Sequence, residues 1–495
     1  MHQIIQTLNK AEKRYFRLFS TSFKSDSDIL MLYDVLEDMK EYDEEAVKSK
    51  TGIKNLAAAK WQLRKLLLKA MRNYREDDNP ADRIRCALSE IEFLTNKGLK
   101  GEARKEINKL MKTVRDAELY YGVAELAVRL ALNTDLEKDK EKFFSFFEQA
   151  HADVDSASRG MKEMYDALLF QSMAVRYSNQ YDYEKPHLRQ STIDGFQAQA
   201  IEKAEKVSSV RARLLYYGVL CDSFNTRKQY DKALEYHEKS LQLFEQHPFL
   251  YEVPKTFFFT VISNYIVTAI AADDIPLTEK LCNRLQKWVD GEKDYFTVNP
   301  EVFDRVRIRL LSTRISICHM QENADSILRL EPDLESFFEN PLATNAQRTS
   351  TPLMTLRMIA TLVSGNKNDR ARYWIEKFYT LDAAKLVKLI YYNVRFLEVI
   401  LFYNEGDLNI ADTKAINFYK LLADSELEEP FFKDLGKFLR KLCKWNFKEE
   451  KDRKECDEVL KAMEERATEG GSANLFAGVF DLRKWFNEKQ KIRSS

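Results

Sequence analysis

Cys318 and His319 form the only thiol and imidazole in sequence contact, and they are poorly arranged for nucleophilic catalysis. On a helix adjacent side chains diverge by about 100°, so the two cannot share a proton. Cys318 then reads as core and His319 as a residue of a binding groove. The six histidines, His2, His151, His187, His237, His247 and His319, include no pair at metal-ligand spacing on one helix face and no HExxH. The six cysteines, Cys86, Cys221, Cys282, Cys318, Cys443 and Cys456, include no CxxC pair and read as small buried residues in a reducing compartment. There is no GxxxxGK[ST] loop and no GxGxxG, so nucleotide hydrolysis has no machinery. The carboxylate pairs Asp77-Asp78 and Asp273-Asp274 fall in turns, where they cap helices. Nothing assembles a nucleophile, a base and an oxyanion donor. The expectation is a non-enzyme with no catalytic residue, no cofactor and no metal.

Cations offer a second kind of chemistry. Glu44 to Leu66 has the outline of a helix-turn-helix, with a turn at Thr51-Gly52-Ile53 and Lys54, Lys60, Arg64 and Lys65 on the second helix, where they would meet phosphates. Lys48 stands where that motif wants a small buried residue, and Ala57 to Ala59 offer nothing to read base edges. An amphipathic capping helix with a solvated basic face fits the same residues. Nucleic acid, a partner otherwise disfavoured, would be taken first through Lys54 to Arg75. Two more basic stretches, Lys433 to Lys448 around Trp445 and Arg483 to Arg493, can meet a nucleic-acid backbone or an acidic protein segment, or stand as solvated lysines beside Glu449, Glu450 and Asp452. Over 495 residues the charges balance, 78 basic against 78 acidic, so no global field draws an anionic partner.

These residues must be positioned by helices. With 14 Gly, 10 Pro and 44% hydrophobic residues, the chain has few breakers and enough apolar residues for a core. Asn79-Pro80, Asn299-Pro300 and Thr351-Pro352 each read as a cap followed by a first helical residue. Turns rich in Gly, Asn and Asp separate long amphipathic runs, and Tyr181 to Gln190 reads as a longer loop. A small residue opens the second helix of each pair: Ala103, Ala233, Thr278, Ser326, Ala371 and Ala411. From Ala103 to Ala411 these keep a stride of about 43 residues, with gaps of 40 to 48 from Ala233 onward, and two less regular hairpins are expected around Phe143 to Asp153 and Ser191 to Lys206. Before Pro80, four helices are expected: Ala11 to Phe19, Asp28 to Met39, Asp43 to Lys50 and Lys54 to Arg75. The division is then a helical cap over 1–78, a hairpin array over 79–468 and a capping helix over 469–495, after a hinge at Gly470-Gly471. No run reaches the roughly 18 apolar residues of a membrane helix, and Met1 to Phe16 carries no secretory leader, so a cytoplasmic protein is expected.

One copy of the hairpin is sharpest. Tyr217, Leu220, Cys221 and Phe224 lie on its first helix, Arg227 to Tyr230 form the turn, and Ala233, His237 and Ser240 follow. This copy, with Asn366 to Trp374, resembles the tetratricopeptide repeat, at a stride longer than that family's 34 or so residues. The opening, "AEKRYFRLF" then "LYDVLEDMKEYDEEAVK" and "LRKLLLKAMRNYR", is similar to an uncharacterised group of bacterial helical-repeat proteins. The resemblance implies an all-α fold, a right-handed superhelical solenoid of antiparallel helical hairpins with a small helical N-terminal cap. It implies a concave groove for a protein or peptide, with Arg85, Glu92, Asp222, Asn225, Ser263, Asn264, His319, Tyr391 and Arg395 facing inward. A non-enzymatic scaffold is the reading. Its alternative is a transcriptional or signalling regulator, with N-terminal helices on DNA or a regulator and repeats that sense a partner.

Overall fold

A computed structural model describes residues 1–22, 27–74, 80–134, 140–180, 186–252, 254–339, 345–381, 388–423, 430–445, 449–468 and 478–494. Among these residues the fold is all-α, without a strand. None of the described helices is long and apolar enough to cross a membrane. The chain divides into two compact units, residues 1–268 with 293–300 and residues 269–292 with 301–495.

In chain order the helices are α1 His2–Thr7, α2 Lys10–Ser22, α3 Ser27–Asp38, α4 Glu44–Thr51, α5 Leu56–Tyr74, α6 Pro80–Asn96, α7 Lys100–Asp116, α8 Tyr120–Leu132, α9 Lys140–Gln180, α10 Pro186–Lys206, α11 Val210–Thr226 and α12 Tyr230–Gln246. They continue as α13 Thr256–Ala271, α14 Ile275–Gly291, α15 Lys293–Val298, α16 Pro300–Met320, α17 Ala324–Leu328, α18 Glu331–Ser336, α19 Asn345–Ser364 and α20 Asn368–Tyr379. The last are α21 Lys388–Glu405, α22 Leu408–Ala423, α23 Pro430–Leu442, α24 Glu450–Thr468 and α25 Leu482–Ser494.

In the first unit, α1 to α5 share a core of Phe16, Leu32, Tyr33, Leu36, Val47, Leu63 and Leu67. The short α1 was not legible in advance. It is held because Gln6 Nε2 donates to the carbonyls of Leu36, Glu37 and Met39, which the end of α3 leaves without helical partners. At the start of α2, Asn9 and Glu12 close a reciprocal capping box, each accepting the other's backbone N–H at 3.0 and 2.9 Å.

One turn recurs between helices. Gly98, Glu118, Lys228, Asp273, Glu322, Asn366 and Gly406 all have φ between 49° and 84°. In each case the next residue's N–H reaches back to the carbonyl five residues earlier, as Gln229 does to Phe224, Lys367 to Leu362 and Asp407 to Phe402. This is a Schellman closure, which satisfies carbonyls the helix end leaves bare. Four residues beyond the residue that accepts the new helix's first bond lies a buried side chain. It is Ala103, Ala233, Thr278, Ala371 or Ala411, all with no exposed surface. In the copy that opens α17, that position is Ile327, whose N–H bonds Asn323 O. Ser326 is thus one residue out of register and only half-buried.

Four other expectations are corrected. Phe143 to Asp153 is not a hairpin but part of α9, an unbroken helix of 41 residues, about 60 Å long. Its buried positions, Ala150, Ala157, Gly160, Ala167 and Phe170, alternate steps of seven and three, a continuous stripe, small except at Phe170, on a helix that packs against α8 and α11. The polar run from Asp155 to Ser158, which invites a break, lies largely on the solvent side. Pro186 lies in no loop: it opens α10, where its missing N–H costs nothing. Ser191 to Lys206 accordingly belongs to that one helix rather than to a hairpin. Pro352 does not start a helix either, because α19 begins at Asn345 and carries the proline inside it. The buried Met354, Leu356, Met358 and Ile359 that follow it hold α19 in the core. The last described helix begins at Leu482, and the Gly470-Gly471 hinge lies outside the described residues.

In the second unit α19 packs on α20 and α21, α21 on α22, α22 on α23 and α23 on α24. Trp374, Phe378, Leu397, Phe418 and Phe438 fill one core, which Trp485 and Phe486 of α25 join. Glu331, at the start of α18, ties this layer together: it takes both Arg370 nitrogens, at 3.1 and 2.8 Å, and the indole N–H of Trp374 at 2.7 Å.

Candidate functional site

Of the nine residues expected to face a groove, the structure leaves two apart on α6. Arg85 is exposed and pairs with Asp82 at 2.5 Å, and exposed Glu92 meets Arg129 at 3.4 Å. Two others converge in the first unit on Thr268. Asn225 Nδ2 donates to its Oγ1 at 2.7 Å, and the hydroxyl donates to Asn264 O at 3.1 Å. His237 Nε2 lies 2.9 Å from the same oxygen, with its ring stacked on Tyr265 at 5.1 Å. Burial pushes the His237 imidazole down to about 4. Ser263 is buried, and its hydroxyl has no partner among the described residues. Asp222 reaches water, yet the protein around it solvates a charge poorly and pushes its carboxyl up to about 6. A pocket of about 310 Å³ beside them, lined by Ala204, Glu205, Arg213, Tyr217, Tyr236 and Lys239, includes none of the nine.

In the second unit Tyr391 and Arg395 join a saturated cluster. Buried Glu398 accepts from Tyr379 Oη at 2.9 Å, Arg395 Nη1 at 3.4 Å and Lys414 Nζ at 2.7 Å. Tyr391 packs its ring 6.3 Å from Tyr379. Glu398 thus stands against two cations, and the cluster joins α20, α21 and α22.

His319 has different company. It sits near the end of α16 with its Nδ1 3.0 Å from Thr361 Oγ1 on α19. Because Thr361 spends its proton on Arg357 O at 2.8 Å, the imidazole Nδ1–H is the donor. Arg357 Nη1 in turn donates to Ser316 Oγ at 2.5 Å, and Ser316 donates to Ser312 O at 2.6 Å. Arg309 lies seven residues before Ser316 on the same face of α16. Neither Arg309 nor Arg357 pairs with a carboxylate among the described residues. Burial, and then the neighbouring Arg309 charge, pushes the Arg357 guanidinium down to about 10, and burial also lowers Arg309. His319 is pushed down to about 4, first by burial and then by Arg357. Both arginines are half-buried, and all their nitrogens are either bonded or open to solvent.

Sequence reasoning found His319 but missed Arg309 and Arg357. The signal was present: each is a lone cation inside an apolar run, Ile308 to Leu311 and Leu353 to Ile359. The thiol beside His319 is inert, since burial raises Cys318. All six cysteines are free. Among the described residues no cluster of His, Cys, Asp and Glu is placed to hold a metal. What the second unit holds here is positive charge in a poorly solvated setting.

The basic face of α5 is partly spoken for. Lys60 pairs with Glu44 at 3.0 Å and bonds Tyr42, Lys48 pairs with Glu44 and Glu45, and Lys65 lies over Trp61. No model of a known protein family, no curated protein and no solved structure matches this chain.

Proposed function

We propose that the chain is a non-enzymatic scaffold, a solenoid of antiparallel helical hairpins of tetratricopeptide type whose first helices line a concave groove for a protein or peptide. The observation that carries this reading is a cross-helix hydrogen bond repeated one stride apart. Asn225 lies three residues before its left-handed turn residue, and Thr268, 43 residues on, lies five before the next one. His319 and Thr361, 42 residues apart, occupy the same two places in a later pair. Gln321 to Glu279 and Tyr373 to Glu335 also span 42 and 38 residues. Contacts at separations close to one stride are what stacking of like units produces. The free cysteines fit a reducing, cytoplasmic setting.

A scaffold of this kind holds its partner through many shallow contacts from successive first helices. Crosslinked affinity capture from the cell's own extract should return one stoichiometric partner. Recovery of nothing above background, or turnover of a small molecule by the purified chain, contradicts the reading.

A further inference from the structure

We propose that the exposed face of α9 docks a second copy of this chain, as an antiparallel helix pair whose twofold axis passes at the level of Gln171. Ala167 and Phe170 of this helix are buried, whereas Leu169 and Met173 on its outer side are 65% and 50% exposed, with Tyr165 beside them at 53%. Single exposed apolar side chains are ordinary. Three within about two turns, flanked by exposed Leu168 and Val175, make a patch on the order of 400–500 Å², the kind that marks an interaction surface. The charges at its ends identify the occupant. Asp166, Leu169, Met173 and Arg176 follow at steps of three, four and three, so they form one stripe along the helix. Asp166 and Arg176 are equidistant from position 171, as are Leu169 and Met173. In an antiparallel pair of identical helices, equidistant positions meet. Leu169 of each copy then lies against Met173 of the other, and Asp166 of each against Arg176 of the other. Sliding the pair by one heptad in either direction sets Asp166 against Leu169 or Met173 against Arg176, a charge on an apolar side chain. Both charges are accessible: Arg176 is exposed with no ion pair among the described residues, and Asp166 meets only the exposed Lys162, at 2.6 Å, a contact worth little by itself. Two copies bury about 1,000 Å², the lower end of the range for specific interfaces, which makes the dimer reversible.

None of the nine groove candidates lies on α9, so the dimer and the groove stand or fall separately. The test is sedimentation velocity of the full chain over a concentration series reaching about 200 µM, where an interface of this size is populated. The native chain should pass from monomer to dimer. Leu169→Glu should stay monomeric, because it sets a carboxylate into both apolar layers. Asp166→Arg and Arg176→Asp should each weaken the dimer about tenfold or more, since either one places like charges across both outer contacts. All three positions are exposed, so the variants should melt as the native chain does. Mixed in equal amounts, Asp166→Arg chains and Arg176→Asp chains should recover native affinity as a heterodimer, because every outer contact then joins opposite charges. A chain carrying both exchanges should recover it alone. A native chain that stays monomeric throughout, a dimer indifferent to Leu169→Glu, charge variants that pair as well as the native chain, or single variants that do not recover on mixing each overturns the interface.

Discussion

Acid should loosen the helix pair α11–α12 through one buried histidine. His237 is 3% exposed, and burial lowers its proton affinity from an ordinary value of 6.5 to about 4. Below pH 6.5 the unfolded chain takes up a proton there while the folded chain does not. The stability this residue permits is thus complete above that pH and drains as pH falls towards 4. Between pH 7 and pH 5 the loss comes to about 2 kcal/mol. Because the chain has two compact units, a single global unfolding curve is the wrong probe. Hydrogen exchange of the amides in Val210–Gln246, corrected for intrinsic rates, reads the local opening free energy. In His237→Gln, which keeps a side-chain N–H able to reach Thr268, that pH-dependent portion should vanish. If the native chain and the variant lose equal stability between pH 7 and pH 5, the burial argument is wrong.

Three further outcomes follow from packing and backbone. Lys228→Gly should stabilise the chain, and Gly98→Ala should destabilise it, each by about 1 kcal/mol in thermal denaturation, because both positions have positive φ and Gly98 has open space around it. Gly160→Ala should cost about 1–3 kcal/mol, since the added methyl would lie 2.3 Å from the Tyr120 ring; a neutral result in a melt would mean α8 and α9 do not approach so closely. Glu331→Ala should lower stability by about 2–3 kcal/mol, because it strands the buried indole N–H of Trp374 and frees Arg370, whereas Arg370→Ala alone should cost less.

Much of the helical layout was legible because its markers are local. Gly98, Asp273, Asn366 and Gly406 announce turns by residue type, and Ala103, Ala233, Ala371 and Ala411 announce the crossings that follow. Glu118, Lys228 and Glu322 adopt the same left-handed conformation with no such mark, because there the Schellman bonds outweigh intrinsic preference. The long α9 was hidden by Asp155, Ser156 and Ser158, which look like punctuation but lie on a solvent face. Pro352 misled because its sequence neighbours suit a helix start while tertiary burial carries α19 across it. Arg357 was missed for a different reason. Charge on a helix is ordinarily solvated, and only the distance from Arg357 to Ser316 reveals that α19 lays this cation against the neighbouring helix.

The central claim is that first-helix side chains hold a partner. Hydroxyl-radical footprinting of the chain, alone and with its captured partner, tests it most directly. His319 on α16 and Tyr391 on α21 should both lose reactivity on complex formation, while exposed Trp61 and Leu132 stay as reactive as before. Protection confined to second helices such as Tyr230–Gln246 and Asn368–Tyr379, with His319 and Tyr391 unchanged, would contradict the account.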